Sequence, residues 1–297
     1  GTLHTAAEQV GASVTHLDWQ WNYAAGIHHP EPRLPEHGLS LIPPRSALWM
    51  DARGRRVGPH PLITGFDTHG LCQRISHLPH GYTWQVMNRK IAHKEISISG
   101  SEHNTAFKYR RPVKFLKEIL LGNDNLYDYL VNQCLDVITA DSLEELGAKM
   151  NAMDPDVTVD VKGMIRDVQQ YDQMIELGTA FHNDDQLRRI EHLRHWKGDK
   201  VRTLKHQKID DPDAYPLVAI REFMISRKSM GGLQTDSHCR VLDIAGEPIT
   251  NLYAVGEAAG FGGGGANGKR SLEGTFLSLC VLTGRVAAGS IAGKNNP

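Results

Sequence analysis

Cysteine is scarce in this chain: four in 297 residues, Cys72, Cys134, Cys239 and Cys280, far apart and with no C-x-x-C pair. That spacing argues against a cysteine zinc site or a disulfide framework and suggests a reducing, cytoplasmic setting. An excess of one charge is also missing. Lys and Arg number 33 against 34 Asp and Glu, a net charge of −1, so the basic surplus of a nucleic-acid binder is not there. Long apolar runs are lacking: the longest, Phe276–Leu282, is broken by Ser278 and is far too short to span a bilayer. No basic-then-apolar leader stands at the start. The sixteen histidines include no H-E-x-x-H pattern. Pro30 makes the His28–His29 segment a loop, and His192 and His195 lie among Arg188, Arg189, Arg194 and Lys197, whose charge disfavours a dication. A solvated basic helix face is expected there, and no metal site. With 40% hydrophobic residues, the chain can bury one large or two moderate cores.

What is present is concentrated between Val241 and Gly289. Val241–Asp243 and Ile249–Val255 are β-branched and apolar, and Gly246 with Pro248 marks a turn between them. Leu252, Tyr253, Ala254 and Val255 are apolar on both faces, as expected for a strand buried inside a sheet. Gly256–Glu257 follows, which places a carboxylate at the strand's carboxyl edge, where open α/β sheets bind ligands. Seven glycines between Gly256 and Gly268 let backbone approach a ligand closely. A helix is expected from Gly274–Thr275, with Gly284, Ala287, Ala288 and Gly289 small enough to pack on the sheet. Its N–H groups and positive dipole end point into the same crevice. A cofactor belongs there.

Two generic nucleotide motifs overlap this loop without their context. Gly263–Lys269 fits G-x-x-x-x-G-K, but Arg270 stands where Ser or Thr must hold magnesium, and too little chain follows for an NTPase. A phosphate-loop nucleotide-binding protein is therefore the third reading. Gly263, Gly265 and Gly268 fit G-x-G-x-x-G, but no acidic residue or βαβ unit follows. A plain surface loop is the bland alternative.

The order LYAVGE-AAG, a glycine run, Arg270, LEGT and a helix with TGRVAAG resembles the C-terminal FAD-binding segment of the fumarate reductase/succinate dehydrogenase flavoprotein superfamily. It is most similar to the branch related to 3-ketosteroid dehydrogenases. KSMGGLQTD, Lys228–Asp236, resembles the family's T-x-G-G segment, and LWMDARGRR, Leu48–Arg56, the strand opening its inserted substrate domain. The likeness is closest over Arg227–Gly293. It implies an FAD enzyme moving hydride between flavin N5 and a C–C bond beside an activating carbonyl. The matched positions imply that Glu257 hydrogen-bonds the ribityl chain, that Gly256 beside it also binds the cofactor, and that the backbone of Gly274, Thr275, Phe276 and Leu277 faces the flavin pyrimidine. A helix N-terminus suits the negative charge of reduced flavin near N1 and O2. Arg270, with Arg227 second, is the candidate cation for polarising substrate.

The chain also departs from the family. Nothing in residues 1–60 supplies the strand and G-x-G-x-x-G that bind the FAD pyrophosphate, and Gly1–Ala12 instead resembles a later helix ending at Gly11. The dicarboxylate reductases' H-G-x-N-R is incomplete around Asn267 and Arg270, and no Tyr of the steroid enzymes lies between Gly256 and Gly274. The expected fold is α/β: the C-terminal part of a Rossmann-like FAD-binding domain, its dinucleotide-binding half missing, with an inserted α+β substrate domain. Residues 1–44 and 234–297 form the first and 45–233 the insert. FAD is then held weakly by this chain alone. The partners are a small-molecule substrate and an unknown electron donor or acceptor, without nucleic acid or membrane span. A catalytically silent folded module is the alternative.

Within the insert, helices with short strands are expected. One runs Val113–Leu121 after Pro112 and closes at Gly122. A capping box at Ser142–Glu145 opens another to about Met150, and helical spacing marks Val161–Leu177. Asn183–Asp213 reads as helix followed by surface loop.

Overall fold

The computed structural model describes residues 2–58, 68–98, 103–260 and 275–293. Eleven strands are defined among them. The first six are β1 (Val14–Thr15), β2 (Gln20–His28), β3 (Gly38–Ile42), β4 (Leu48–Asp51), β5 (Tyr82–Asn88) and β6 (Ser97–Ile98). Then come β7 (Val137–Ala140), β8 (Leu217–Ser229), β9 (Gly232–Leu233), β10 (Arg240–Leu242) and β11 (Pro248–Tyr253). The chain divides into two compact units, residues 1–23, 65–70 and 226–297, and residues 24–64 and 71–225. The unit edges thus fall at 23/24 and 225/226, where the sequence suggested 44/45 and 233/234. The first edge moves because β2 and β3 pair with each other, Gly26 opposite Ser40, in the larger unit's sheet.

That sheet has seven strands in the order β4-β5-β8-β2-β3-β6, with β7 also on β8. Every pairing with a described register is antiparallel. Of the short strands expected of the insert, β4, β6 and β7 are short, and β8 departs from the expectation with thirteen residues. β5 is buried at all seven positions, so it shows no alternation to read. Successive side chains point to opposite faces, and both faces are covered. Trp84 and Val86, with Met50 and Leu48 opposite them, join the main core with Ile91, Leu130, Leu146, Met164 and Tyr171. Trp49 packs in a second cluster with Leu71, Cys72 and Ile75 of the helix Thr68–Ser76.

The helices stand close to their sequence signals. Pro112–Leu121 ends at Gly122 (φ 107°), and Ser142 caps Leu143–Met153 by accepting from the N–H of Glu145. Asp160, unforeseen, caps Val161–Glu176. The segment after Asn183 holds two helices, Asp185–Leu193 and Lys197–Arg202. His28 is corrected from loop to the last residue of β2, because its pairing with Gly38 carries the strand to the edge of Pro30.

The smaller unit holds the helix Thr2–Gln9, the pair β1–β9 and the hairpin β10–β11 around a core of Ala7, Ala12, Leu233, Val241 and Ala254. The hairpin turns through Gly246 (φ 86°) with Arg240 opposite Tyr253 and Leu242 opposite Pro248. One expectation is overturned: β11 is an outer strand of a two-stranded sheet, half-buried or exposed along its length. Pro248 at its start lacks an N–H, and Asn251 takes φ 59°; both suit an edge and not a sheet interior.

Candidate functional site

In the smaller unit, β11 runs into a single 3₁₀ turn, Gly256–Ala259, packed on the helix Thr275–Ile291. Gly256 has φ 58°, and a Cβ there would lie 2.8 Å from the Cys280 sulfur, so the turn requires glycine. Its N–H donates to Thr283 Oγ1 (2.9 Å), and that hydroxyl donates to the carbonyl of Leu279 (2.8 Å). The turn therefore meets the helix at Cys280 and Thr283, beyond its first turn. Glu257 is exposed, and no cation pairs with it among the described residues.

The M-G-G segment closes the other side of this turn. A Cβ on Gly232 would sit 2.2 Å from Gly260 N, and one on Gly231 would sit 2.1 Å from the carbonyl oxygen of Thr15. Neither space admits a side chain. Two backbone segments thus approach as closely as the chain allows, with β1 beneath and the Glu257 turn above. The residues present fit a hydroxyl-bearing cofactor in one respect that the geometry shows: a glycine-built turn with an exposed carboxylate on its rim. A hydroxyl can donate to that carboxylate.

Gly256 and Glu257 thus come together with the segment at Gly231–Gly232. Thr275 and Phe276 open the helix, and Leu277, the next residue, has an exposed side chain. Arg270 and Gly274 lie outside the described residues, as do the side chains of Thr275, Phe276 and Arg227; Arg227 is a position on β8. Packing of the helix through its small residues is corrected in part. Ala287 is buried, but a Cβ on Gly284 would meet open space, because the helix presents the side that carries Thr283 and Ala287 to the hairpin.

The larger unit holds a polar cluster that sequence reasoning missed. Asp136, fully buried between the helix Asp124–Gln133 and β7, accepts from the backbone N–H of His28 (2.7 Å) and meets its ring Nδ1 (2.8 Å). Its other oxygen accepts from Arg221 Nε and Nη2, both at 3.1 Å. Arg221 in turn lies over the rings of Tyr82 and Phe223. The His28 ring stands edge-on to Phe223 beside a cavity of about 130 Å³ lined by Gly26, Gly38, Phe223 and Ile225. With Nδ1 turned to the carboxylate, Nε2 is the ring nitrogen left to other partners, and 52% of the side chain is exposed. Burial, and then the hydrogen bond to Asp154, push the Tyr82 hydroxyl well above its ordinary pKa. Burial likewise pushes the Cys134 thiol up to about 11, so it is no nucleophile. Charged residues inside apolar strand sequence, Arg221 and Glu222 in LVAIREFMI, were the signal for this cluster.

Among the described residues no group of His, Cys, Asp or Glu could hold a metal ion, and no helix is long and apolar enough to cross a membrane.

Residues 1–277 match a family model described as FAD binding domain. A KsdD-like steroid dehydrogenase of Mycobacterium tuberculosis is 38% identical over 294 residues, covering 98% of this chain and 51% of that protein. Another KsdD-like steroid dehydrogenase, from Mycolicibacterium smegmatis, is 38% identical over 297 residues, covering 98% and 54%. The chain spans about half the length of the curated relatives it matches. The 3-ketosteroid Δ1-dehydrogenase of Sterolibacterium denitrificans superposes with a TM-score of 0.58 at 19% identity, over 99% of this chain and 47% of that one. At that identity the likeness is one of fold, mixed α/β.

Proposed function

This chain belongs to the FAD binding domain family, an FAD-dependent oxidoreductase family, and from that premise we propose that it forms part of a dehydrogenase acting on a steroid-type ketone. The observation that carries the reading is the turn at Gly256–Glu257, closed by Gly231–Gly232, inside a family match of 277 residues. When bound, flavin would supply a hydride acceptor at N5 for a carbon next to the activated position of the ketone.

Glu257 accepts a hydrogen bond from a ribityl hydroxyl, and the glycine turn brings backbone against the cofactor where a side chain would block it. The helix N-terminus at Thr275, Phe276 and Leu277 turns N–H groups toward negative charge on the flavin pyrimidine, and the resemblance adds Gly274 to this set. Arg270, with Arg227 second, polarises the substrate carbonyl as charge develops on its oxygen. Arg270 follows the glycine run that the resemblance ties to the cofactor. A cytoplasmic setting accords with the buried cysteines Cys134 and Cys239, which form no disulfide.

An anaerobic half-reaction tests this. The FAD-loaded protein that contains this chain is mixed with a 3-oxosteroid or with succinate, and the visible flavin band is followed. Bleaching by the steroid alone is expected. Bleaching by succinate alone would move the chain to the dicarboxylate branch, and an inert flavin would make it a silent module.

A further inference from the structure

Two exposed helices of the larger unit carry chemistry that a flavin site does not use. Helix Pro112–Leu121 has no buried residue. Phe115 and Ile119 turn inward to line a cavity of about 230 Å³. The opposite side is apolar as well: Val113 is 82% exposed, Leu116 57% and Leu120 51%. Positions i, i+3 and i+7 make these three one stripe. Phe107 and Tyr109 in the preceding turn are also exposed. The helix Lys197–Arg202 packs against this one, and exposed Trp196 stands at its start.

Cations surround the stripe. Residues 105–121 and 194–202 contain nine Lys and Arg against two acids, on a chain whose net charge is −1. Both acids are already paired, Glu118 with Lys114 (3.7 Å) and Asp199 with Arg45. Lys108, Arg110, Arg111, Lys117, Lys197 and Lys200 are exposed and have no carboxylate partner among the described residues. The helix is also firmly seated: Lys94 Nζ donates to the carbonyls of Ile119 (2.7 Å) and Leu120 (2.5 Å). The stripe is therefore presented in a fixed orientation.

We propose that these two helices dock the protein on an anionic lipid surface. The stripe of Val113, Leu116 and Leu120 enters the boundary between headgroups and acyl chains, and the cations meet lipid phosphates with their stems along the apolar surface. Charge complementarity selects this occupant. A nucleic acid would satisfy the cations and aromatic rings but leave three aliphatic side chains in water. An apolar protein face would cover the stripe but strand six cations. The exposed side of the helix Thr275–Ile291 makes the contrast: Leu277, Val281 and Leu282 have Arg285 as the helix's sole charge, a composition suited to burial in protein.

Vesicle sedimentation of the full chain tests the proposal. With phosphatidylcholine vesicles containing about a third phosphatidylglycerol, the protein pellets, and with pure phosphatidylcholine it stays in the supernatant. The combined variant Lys108→Gln, Arg110→Gln, Arg111→Gln and Lys117→Gln lowers partitioning by roughly six hundredfold, at about fivefold per cation. Leu116→Ser with Leu120→Ser keeps the charge and still loses about tenfold. These side chains are exposed, and unchanged circular-dichroism melts confirm that the variants fold. Equal binding to both vesicles, no binding to either, or an unaffected serine variant overturns the proposal. Tighter retention by duplex DNA that the serine changes leave intact would assign the patch to nucleic acid instead.

Discussion

Asp136→Ala should be among the most damaging single changes in the larger unit. The carboxylate is fully buried and satisfies four donors: the His28 backbone N–H, the His28 ring and two guanidinium nitrogens of Arg221. The Arg221 side chain is 14% exposed and lies over the rings of Tyr82 and Phe223, so water cannot readily replace the lost partner. Removing one member of such a pair strands the other charge and costs about 3–5 kcal/mol. For a unit of this size that lowers the melting midpoint by roughly 6–20 °C. Most of the loss comes from the orphaned cation, and this dictates the second variant. Adding Arg221→Met to Asp136→Ala should recover more than half of the shift, because replacing both members of a buried pair with apolar groups is often close to neutral. Asp136→Asn, which keeps a carbonyl toward Arg221, should fall between. Thermal melts followed by far-UV circular dichroism and tryptophan fluorescence read all three. A shift under about 2 °C for Asp136→Ala, or a double variant worse than either single one, would refute the reasoning.

Four further outcomes are expected. Glu222 is buried without a side-chain hydrogen-bond partner among the described residues, and burial holds its pKa well above the ordinary carboxylate value. Folded protein keeps that proton while unfolded chain releases it above about pH 4.5, so stability is full below that pH and falls as pH rises, by up to about 1.4 kcal/mol per unit. Glu222→Gln removes the slope, and its melting advantage over the parent should grow from about pH 5 to 7; a pH-independent gap contradicts this. Gly232→Ala places a Cβ 2.2 Å from Gly260 N and should lower stability by roughly 1–3 kcal/mol or more, with loss of flavin affinity; a parent-like melt would show that the contact can relax. The 297-residue chain alone should hold FAD weakly, since its sequence contains no pyrophosphate-binding motif, and a stoichiometric yellow complex after gel filtration would disprove it. Arg270→Ala in the FAD-loaded protein should cost about a hundred- to a thousandfold in turnover while flavin stays bound, and near-normal turnover would remove Arg270 from the site.

What was legible in the sequence was what the chain encodes locally. Pro112 and Gly122 delimit a helix because one lacks an N–H and the other takes φ 107°, and Ser142 opens the next through a bond three residues on. The hairpin at Gly246 was readable for the same reason, and Glu257 could be set at its end. The seven-stranded sheet was not, because its information is distributed. β5 is buried on both faces and shows no period, while β8 interrupts its apolar run with Arg221 and Glu222.

The polar cluster fails to show for a related reason, and that reason connects fold to chemistry. Asp136 lies 108 residues from His28 and 85 from Arg221, so no local motif links the three. They meet because β7 and β2 both lie against β8, β7 on residues 217–220, just before Arg221. A sheet that gathers distant strands can therefore bury charge as deeply as it buries Trp84, provided each charge arrives with its partner. Asp136 and Arg221 do, and Glu222, one residue further along the same strand, does not. The neighbouring positions separate a structural ion pair from an acid kept neutral by burial. Position 222 is consequently the one on β8 where a change of pH and a change of residue should act on the same quantity.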